Sequence, residues 1–297
     1  MKIAVASGKG GTGKTTVSVN LFRYLNNMEG FDVHLVDCDV EEPNDLIFFP
    51  GSMKQESTIV TQLIPEIDMV KCTLCKKCVD YCEFGAVSVI PRVKYATIDA
   101  GLCHSCGACL LACSFDALTE KPEPIGSITS YNVLDNQVLT EGVLKVGSSM
   151  QTMLIKKLKK SISTASEVIL YDAPPGTSCQ VVETLSDANF IVLVTEPTPF
   201  GLHDMQLIIE LINELDKPFG VVINKAGLGN NSVKEYLSAN AIELMGEIPF
   251  SSSYAAQYAD GNLFEDVPCE IESGYSTIVH NLKQKVLVHE RDYSFKR

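Results

Sequence analysis

Apolar runs and helical patterns alternate along most of the chain. An apolar run at residues 3–6 leads into a glycine cluster, helical apolar spacing follows over residues 14–28, and a second apolar run occupies residues 33–37. Strand, helix and strand at this spacing predict a βαβ unit and therefore a parallel sheet. Similar runs later in the chain predict further strands at residues 168–171, 190–194 and 220–223, and one that ends at Ile248. The predicted fold class is α/β, with a doubly wound, mostly parallel sheet.

The middle of the chain interrupts this alternation with a cysteine-rich block. A β-hairpin is predicted after the block, over residues 127–146, with its turn at residues 135–136. The helical and strand patterns then resume. We therefore predict one discontinuous domain, made of residues 1–66 and 121–297, and a small inserted domain made of residues 67–120.

Composition indicates a folded protein that does not bind polyanions broadly. The 297 residues are 45% hydrophobic and 21% charged, which excludes a disordered or fibrous chain. Lys and Arg number 24 against 37 Asp and Glu, a net charge of −13, so no nucleic-acid partner is expected. The sequence contains no signal-peptide pattern and no apolar run of about 18 residues, so we expect a cytoplasmic location without stable membrane association.

A phosphate-binding loop is predicted near the N-terminus. Residues 8–15 read G-K-G-G-T-G-K-T, which fits G-x-x-x-x-G-K-[ST] between a strand and a helix. Backbone N–H groups of such a loop and the positive end of the helix hold phosphate oxygens. Lys14 is predicted to reach the β- and γ-phosphates, and the Thr15 hydroxyl to ligate Mg²⁺. The predicted nucleotide-binding residues of the loop are Gly8, Gly10, Gly11, Thr12, Gly13, Lys14, Thr15 and Thr16.

Eight of the eleven cysteines form a repeat inside the block. Each run matches the C-x₂-C-x₂-C-x₃-C pattern of bacterial ferredoxins, in which the fourth cysteine ligates the other cluster. One [4Fe–4S] cluster is therefore predicted on Cys72, Cys75, Cys78 and Cys113. A second is predicted on Cys103, Cys106, Cys109 and Cys82. Zinc is the alternative, but three cysteines of each run are too close to divide into two separate knuckles. The inserted domain is expected to be a small α+β ferredoxin-type unit.

A lysine early in the phosphate loop adds a family resemblance. With Lys9, the string K-G-G-T-G-K-T-T resembles the deviant Walker A motif of the MinD/ParA/Mrp and nitrogenase iron protein group of ATPases. The resemblance implies that Lys9 crosses a dimer interface to phosphates bound by the partner subunit. It also implies that Asp39 positions the attacking water, that Asp37 lies near the Mg²⁺ shell, and that Asp172 holds a Mg²⁺-bound water. The active form would be a homodimer, or a heterodimer with a paralogue.

Three further positions resemble the base-recognition segments of that family. Asn224 follows an apolar strand, and its amide would read the adenine edge. Pro249 and Phe250 would pack against the other side of the base. An asparagine that ends a strand is also a common turn residue, so this assignment has a simpler alternative.

Three cysteines remain outside the repeat. Cys38 and Cys269 are each predicted to be small buried apolar residues. Cys179 lies in a place similar to that of a cluster ligand in the nitrogenase iron protein, but the sequence offers it no obvious partner cysteine.

The whole chain resembles MinD-superfamily P-loop ATPases that carry an inserted ferredoxin domain. The resemblance implies a slow, partner-stimulated ATPase that binds ATP or ADP and Mg²⁺. Its nucleotide-dependent dimer would gate electron transfer or iron–sulfur and metallocofactor maturation, with a redox or maturation protein as partner.

The alternative is a MinD/ParA-like positioning or adaptor ATPase in which the clusters are redox sensors or structural. MinD-like membrane binding needs a basic amphipathic C-terminal helix. Residues 276–290 contain few basic residues and predict packing on the core instead.

Overall fold

The computed structural model describes residues 1–133, 137–163 and 165–294. The strands within these ranges are β1 Lys2–Ala6, β2 Val33–Asp37, β3 Met53–Ile67, β4 Val87–Ile90, β5 Tyr95–Ile98, β6 Leu118–Asn132, β7 Val138–Leu144, β8 Val168–Asp172, β9 Phe190–Thr195, β10 Phe219–Ala226 and β11 Leu244–Pro249. The α-helices in the same part of the chain are α1 Lys14–Glu29, α2 Lys77–Asp80, α3 Ala108–Ala112, α4 Gln151–Ser161, α5 Cys179–Leu185, α6 Pro199–Glu214, α7 Ser232–Ala239, α8 Ser252–Ala259 and α9 Cys269–Ser294.

Nine of these strands form one sheet in the order β11-β10-β9-β1-β8-β2-β7-β6-β3. Neighbouring strands from β11 to β7 are parallel, whereas β6 and β3 run antiparallel to their neighbours. The central strands are buried along almost their whole length, and apolar clusters lie on both faces of the sheet. Burial on both faces is typical of parallel sheets and explains the continuous apolar runs in the sequence. The predicted α/β, mostly parallel fold is confirmed.

The last two strands leave the sheet as a long ribbon. β3 and β6 are 15 residues each and pair from Met53 opposite Asn132 to Ile67 opposite Leu118. The distal end of the ribbon carries the cysteine-rich segment. There β4 and β5 form a separate antiparallel pair, and the short helices α2 and α3 lie beside it.

The sequence pattern missed β3 entirely and placed the start of β6 too late, at residue 127 instead of Leu118. β3 is an edge strand whose first seven residues, 53–59, are exposed, and only its second half has alternating buried positions. An edge strand buries too little apolar surface to give a clear period of two. The predicted pairing of β6 with β7 is present, while the predicted turn at Asp135 and Asn136 lies outside the described residues.

The C-terminal helix α9 packs on the core. Ile278, Val279 and Leu282 are buried against β11 and the neighbouring helix α1. The expected core packing of this segment is therefore present as far as Leu282. No helix among the described residues has the length and apolar composition required to span a bilayer.

Candidate functional site

The candidate site lies where β1, β2 and β8 end at the same edge of the sheet. β1 continues into the predicted phosphate loop, β2 ends at Asp37, and β8 ends at Asp172. Asp37 and Asp172 are register partners on adjacent parallel strands. The carboxyl ends of parallel strands are where α/β sheets bind ligands, so the fold itself brings the loop and both carboxylates together.

The phosphate loop depends on glycine at two positions. Gly13 has φ +86°, and a Cβ there would lie 2.1 Å from Nδ2 of Asn224. A Cβ on Gly8 would lie 2.1 Å from the carbonyl oxygen of Asp204 in α6. The first position requires left-handed backbone and the second requires close approach of two backbones, so both exclude a side chain.

Lys14 and Thr15 both point to Asp172. Lys14 Nζ lies 2.8 Å from Asp172 Oδ2, and Thr15 Oγ1 donates a 3.0 Å hydrogen bond to the same oxygen. Ser18 donates to Oδ1 at 2.5 Å. Asp172 is fully buried and Lys14 nearly so. The three donors hold this carboxylate at the start of α1, beside the place predicted for Mg²⁺ and phosphate.

Asp37 organises the loop that follows β2. Its Oδ1 accepts the backbone N–H of Asp39 at 3.0 Å, and its Oδ2 accepts those of Asn44 at 2.8 Å and Asp45 at 3.1 Å. Both ends of this loop are therefore hydrogen-bonded to the carboxylate of Asp37, and these bonds fix the position of Asp39. Asp39 is partly exposed.

Asp45 adds a third carboxylate that the sequence analysis did not identify. It is fully buried, and neither of its carboxylate oxygens has a hydrogen-bond partner among the described residues. Ligand atoms of Asp37, Asp45 and Asp172 all lie within 4.8 Å of one another. Three carboxylates at these separations can hold a divalent cation.

The carboxylates and Lys14 change one another's pKa values, in addition to the effect of burial. Burial raises the pKa of Asp37 to about 7, and the charge of Asp172 adds to that effect. Burial, with the charge of Asp37, raises the pKa of Asp45 well above its usual range. Burial lowers the pKa of Lys14, but the charge of Asp172 and the hydrogen bond to it outweigh burial, and the pKa is raised. The pKa of Asp39 is raised mainly by burial.

Lys9 is held within its own chain. Its Nζ lies 2.7 Å from Oε1 of Glu196, the residue after β9. The other carboxylate oxygen of Glu196 lies 3.2 Å from Nζ of Lys225, which also donates to the carbonyl oxygen of Gly11 at 2.7 Å. The carboxylate of Glu196 therefore contacts Lys9 directly, and through Lys225 it is linked to the phosphate-loop backbone at Gly11.

The predicted base-recognition residues lie together at the same edge of the sheet. Asn224 donates from Nδ2 to the carbonyl oxygen of Thr12 at 2.8 Å, so in this structure it supports the phosphate loop. Ala226 and Pro249 are register partners on β10 and β11, and Phe250 donates its backbone N–H to Ala226. The Phe250 side chain is exposed.

Two clefts occupy the cysteine-rich segment. One is lined by Cys72, Cys75, Cys78 and Cys113. The other is lined by Cys82, Cys103, Cys106 and Cys109. The structure brings together the same two sets of four that the sequence predicts, including the exchanged fourth cysteines.

The sulfur atoms in each cleft are spread apart. Within the described residues, no three cysteine Sγ atoms lie within 4.8 Å of one another. Four thiolates around one zinc ion at 2.3 Å would lie about 3.8 Å apart, because the coordination is tetrahedral. Rotation of the cysteine side chains would close this gap, so the four cysteines of each cleft fit an iron–sulfur cluster and, by their number, also zinc.

Hydrogen bonds connect the loop after β2 to the cysteine-rich segment. The carbonyl oxygen of Val40 accepts the backbone N–H of Leu144 at the end of β7. Ser149, five residues further on, donates from Oγ to the carbonyl oxygen of Gly101 at 3.0 Å. Gly101 is two residues from Cys103. These two hydrogen bonds, and residues 144–149 between them, therefore connect the candidate nucleotide site to the cleft that contains Cys103.

The three remaining cysteines lie in different surroundings. Cys38 is fully buried, as predicted. Cys269 is exposed at the first position of α9, so its predicted burial is wrong, because the helix starts at the surface before turning its apolar side inward. Cys179 is exposed at the first position of α5.

Sequence reasoning missed Ser18, Asp45 and Glu196. Ser18 lies one helical turn after Lys14, so helical spacing could have indicated that it faces the same site. Glu196 directly follows a strand, so its position at a strand end could have indicated that it lies at the same edge of the sheet. Nothing in the sequence distinguishes Asp45 from a surface acid.

Comparison with known proteins places these features in a family. The model of the CobQ/CobB/MinD/ParA nucleotide binding domain matches residues 3–264. The uncharacterized protein MJ0579 of Methanocaldococcus jannaschii is 32% identical over 77% of this chain and 82% of its own length. An iron–sulfur cluster carrier protein of Aquifex aeolicus is 24% identical over 96% of this chain and 67% of its own.

The fold also matches a solved structure. The septum site-determining protein MinD of Pyrococcus horikoshii, complexed with Mg-ADP, superposes with a TM-score of 0.56 at 17% identity, covering 96% of both chains. At that identity the match extends to the fold alone.

Proposed function

The chain belongs to the CobQ/CobB/MinD/ParA family of nucleotide-binding domains and is a P-loop ATPase, and we propose that its nucleotide state gates electron transfer through two [4Fe–4S] clusters. Relatives of this chain include proteins named iron–sulfur cluster carrier protein, which supports a link to iron–sulfur chemistry. The finer assignment rests on this chain's own residues.

One observation carries the proposal. In the loop that follows Asp37, the carbonyl oxygen of Val40 accepts the backbone N–H of Leu144 in β7, which pairs with β6. β6 continues into the ribbon whose distal end holds the eight clustered cysteines. A γ-phosphate contacted by that loop would change its shape. Because Val40 bonds to Leu144, a shift of the loop pulls on β7 and, through it, on the ribbon.

The cysteine sets suit the proposed clusters. Each cleft is lined by four cysteines, the number of ligands that one [4Fe–4S] cluster takes. When bound, such clusters supply one-electron transfer. We assign Cys72, Cys75, Cys78 and Cys113 to one cluster. We assign Cys103, Cys106, Cys109 and Cys82 to the other.

The nucleotide site follows from the carboxylates and donors already described. Lys14 would leave Asp172 for the β- and γ-phosphates, and Thr15 would ligate Mg²⁺ with Asp37 and Asp172 beside it. Asp39 would orient the attacking water, a task that phosphoryl transfer requires of a positioned carboxylate. Lys9 would reach phosphates bound by a second subunit in a nucleotide-dependent dimer.

Electron transfer is favoured over cluster delivery for this chain. Each proposed cluster has four cysteines from one chain, so it is fully wrapped and held permanently. A protein that delivers its cluster to an acceptor needs cluster ligands that can release it. The iron–sulfur cluster carrier relatives make delivery the second possibility.

The experiment uses protein purified without oxygen. We expect about eight iron and eight sulfide per chain, as two [4Fe–4S] clusters require. After incubation with a cluster-free acceptor ferredoxin and Mg-ATP, the iron should stay with this chain, and reduced protein should pass electrons to a cluster-loaded ferredoxin. Zinc in place of iron would refute the cluster assignment. Iron that moves to the cluster-free acceptor would refute electron transfer in favour of delivery.

A further inference from the structure

We propose that an acidic one-electron carrier protein docks on residues 70–77, the lysine loop, beside the cleft that contains Cys72. The proposal rests on the proposed function and adds to it the chemistry of the partner and the cluster that the partner meets. The lysine loop reads V-K-C-T-L-C-K-K, so it has three positive charges and no acidic residue.

The two cysteine clefts lie at different places along the ribbon. Ile67 and Leu118, which pair at its far end, line the cleft beside the lysine loop, the outer cleft. Pro65, which is nearer to the nine-stranded sheet, lines the other cleft, the inner cleft. The chain segment of the inner cleft is also the one that bonds to the ATPase part, through Gly101 and Ser149. The outer cleft is therefore the one that faces away from the nucleotide site.

Charge distinguishes the two clefts, whereas exposure does not. Each cleft has one exposed cysteine, Cys75 in the outer and Cys106 in the inner. In the cysteine repeat, the counterpart of the lysine loop is residues 101–108, which read G-L-C-H-S-C-G-A and contain no Lys, Arg, Asp or Glu. The repeat thus has the same cysteines in both halves but places three lysines beside the outer cleft alone.

The backbone of the lysine loop gives an independent indication that one of these charges has a role. Lys76 has φ +66°, and its counterpart Gly107 has φ +73°. Left-handed backbone suits glycine and disfavours residues with a Cβ. Such positions occur most often at functional sites, where the side chain itself is needed. An exposed lysine at this position therefore indicates that the charge acts on something outside the chain.

The three charges are available to a partner. Lys71, Lys76 and Lys77 are exposed, and none of them forms an ion pair with another residue that the structure describes. Lys77 Nζ lies 3.5 Å from the neutral Ser114 Oγ. Val70, in the same loop, is 94% exposed and offers an apolar contact. Apolar contact within a charged rim is the usual arrangement of a protein interface.

The net charge of the whole chain indicates an acidic partner. The chain carries a net charge of −13, so it repels an acidic protein over most of its surface. The lysine loop attracts the same protein and orients it towards the outer cleft. Complexes between electron carriers have small interfaces, so a few charges suffice to select the docking site.

The first measurement is binding alone. The full chain, with both clusters loaded and oxidised and without nucleotide, is titrated with an acidic flavodoxin in a calorimeter. Flavodoxin contains no iron that could exchange with the clusters. We expect a complex that forms at about 0.01 M ionic strength and weakens at about 0.15 M, because the screening length falls from about 30 Å to about 8 Å.

A triple variant then tests the lysine loop. It combines Lys71→Gln with Lys76→Gly and Lys77→Ala, and the last two changes copy Gly107 and Ala108 of the inner cleft. The loop should therefore fold, and flavodoxin should bind about tenfold more weakly at low ionic strength. Lys76→Gly alone, which relieves the left-handed strain, should weaken binding about 2- to 3-fold.

The matched control removes three charges elsewhere. Helix α4 has three exposed lysines that line neither cleft, and each is replaced by glutamine: Lys156→Gln, Lys157→Gln and Lys160→Gln. This variant has the same net charge as the lysine-loop variant and should bind flavodoxin like the wild type. Both variants should retain the iron. After reduction by dithionite and removal of the excess, each cluster should still give one electron to menadione, a small uncharged acceptor.

Three results would overturn the proposal: no flavodoxin binding by the wild type at low ionic strength, undiminished binding by the lysine-loop variant, or an equal loss in the α4 variant. Binding to the oxidised protein requires neither ATP nor electron transfer. Failure of docking therefore leaves the proposed gating standing, and failure of gating leaves docking measurable.

Discussion

Lys9 and Glu196 form an ion pair inside one chain, with Lys9 Nζ 2.7 Å from Glu196 Oε1. Lys9 is the residue that family resemblance assigns to the phosphates of a partner subunit. Within the single chain it is therefore restrained by this ion pair. To act across the proposed dimer interface it must leave Glu196, so the ion pair would oppose the proposed nucleotide-dependent dimer.

The first prediction follows from that restraint. Glu196→Gln should free Lys9 and tighten the ATP-dependent dimer by about 2- to 5-fold, because a partly exposed ion pair contributes roughly 0.5–1 kcal/mol. Analytical ultracentrifugation with a non-hydrolysable ATP analogue measures the change. Glu243→Gln, which breaks a more exposed ion pair with Lys285, should leave the dimer unchanged. A weaker dimer in Glu196→Gln would refute the restraint.

The second prediction concerns the shape of the phosphate loop. Gly13→Ala should lower the free energy of unfolding by at least about 1 kcal/mol, because left-handed backbone disfavours a Cβ by roughly that amount. The clash with Asn224 adds to this cost. Gly10→Ala is the control, since a Cβ there meets no described atom within 4 Å and needs no positive φ. Urea unfolding of both variants without nucleotide decides the matter, and equal stabilities would contradict the loop geometry.

The third prediction concerns the cysteine sets. Cys75→Ser and Cys106→Ser should each remove about half of the bound iron, since they belong to different clefts. The double variant should lose nearly all of it. Cys269→Ser, at an exposed cysteine outside both clefts, should retain the full iron content. If either single substitution removed all or none of the iron, the division into two independent sets would be wrong.

The fourth prediction is a pH effect at a buried histidine. His34 Nε2 lies 2.9 Å from Oγ1 of Thr140, and burial lowers the pKa of His34 to about 4, with a small opposing effect from Asp32. Its ordinary pKa is about 6.5, so between these values the unfolded chain binds a proton that the folded chain rejects. Its contribution to stability is therefore complete above about pH 6.5 and is lost as the pH falls towards 4.

The measurement compares urea unfolding at pH 7.5 and pH 5.5. The wild type should lose about 1 kcal/mol more than His34→Gln, which keeps a polar group but does not titrate. The comparison cancels the contribution of Asp37, whose raised pKa gives the opposite slope and is shared by both proteins. An equal loss in both proteins would show that His34 is protonated in the folded state.

The fifth prediction concerns the path between the two sites. Ser149→Ala removes the side-chain hydrogen bond to Gly101 and should reduce any ATP-induced change in cluster potential without altering iron content. Ser238→Ala, at an exposed serine of α7, should preserve the full change. An undiminished change in Ser149→Ala would mean that coupling passes only through β7 and the ribbon.

Much of the fold could be predicted from sequence, because parallel strands buried on both faces are almost continuously apolar. The phosphate loop and the cysteine runs could be predicted because their chemistry fixes residue type and spacing. β3 could not be predicted, because an exposed edge strand shows little alternation of apolar and polar residues. Asp45 could not either, because its importance comes from burial between two strand ends, which only the folded chain reveals.

The most direct test is an anaerobic redox titration monitored by EPR, with Mg-ATP, with Mg-ADP and without nucleotide. We predict signals of two reduced clusters, with a midpoint potential that differs between the Mg-ATP and Mg-ADP states. Lys14→Ala should abolish the difference while retaining the iron. Identical potentials and spectra in all three states would contradict nucleotide gating and favour clusters that serve as sensors or structural elements.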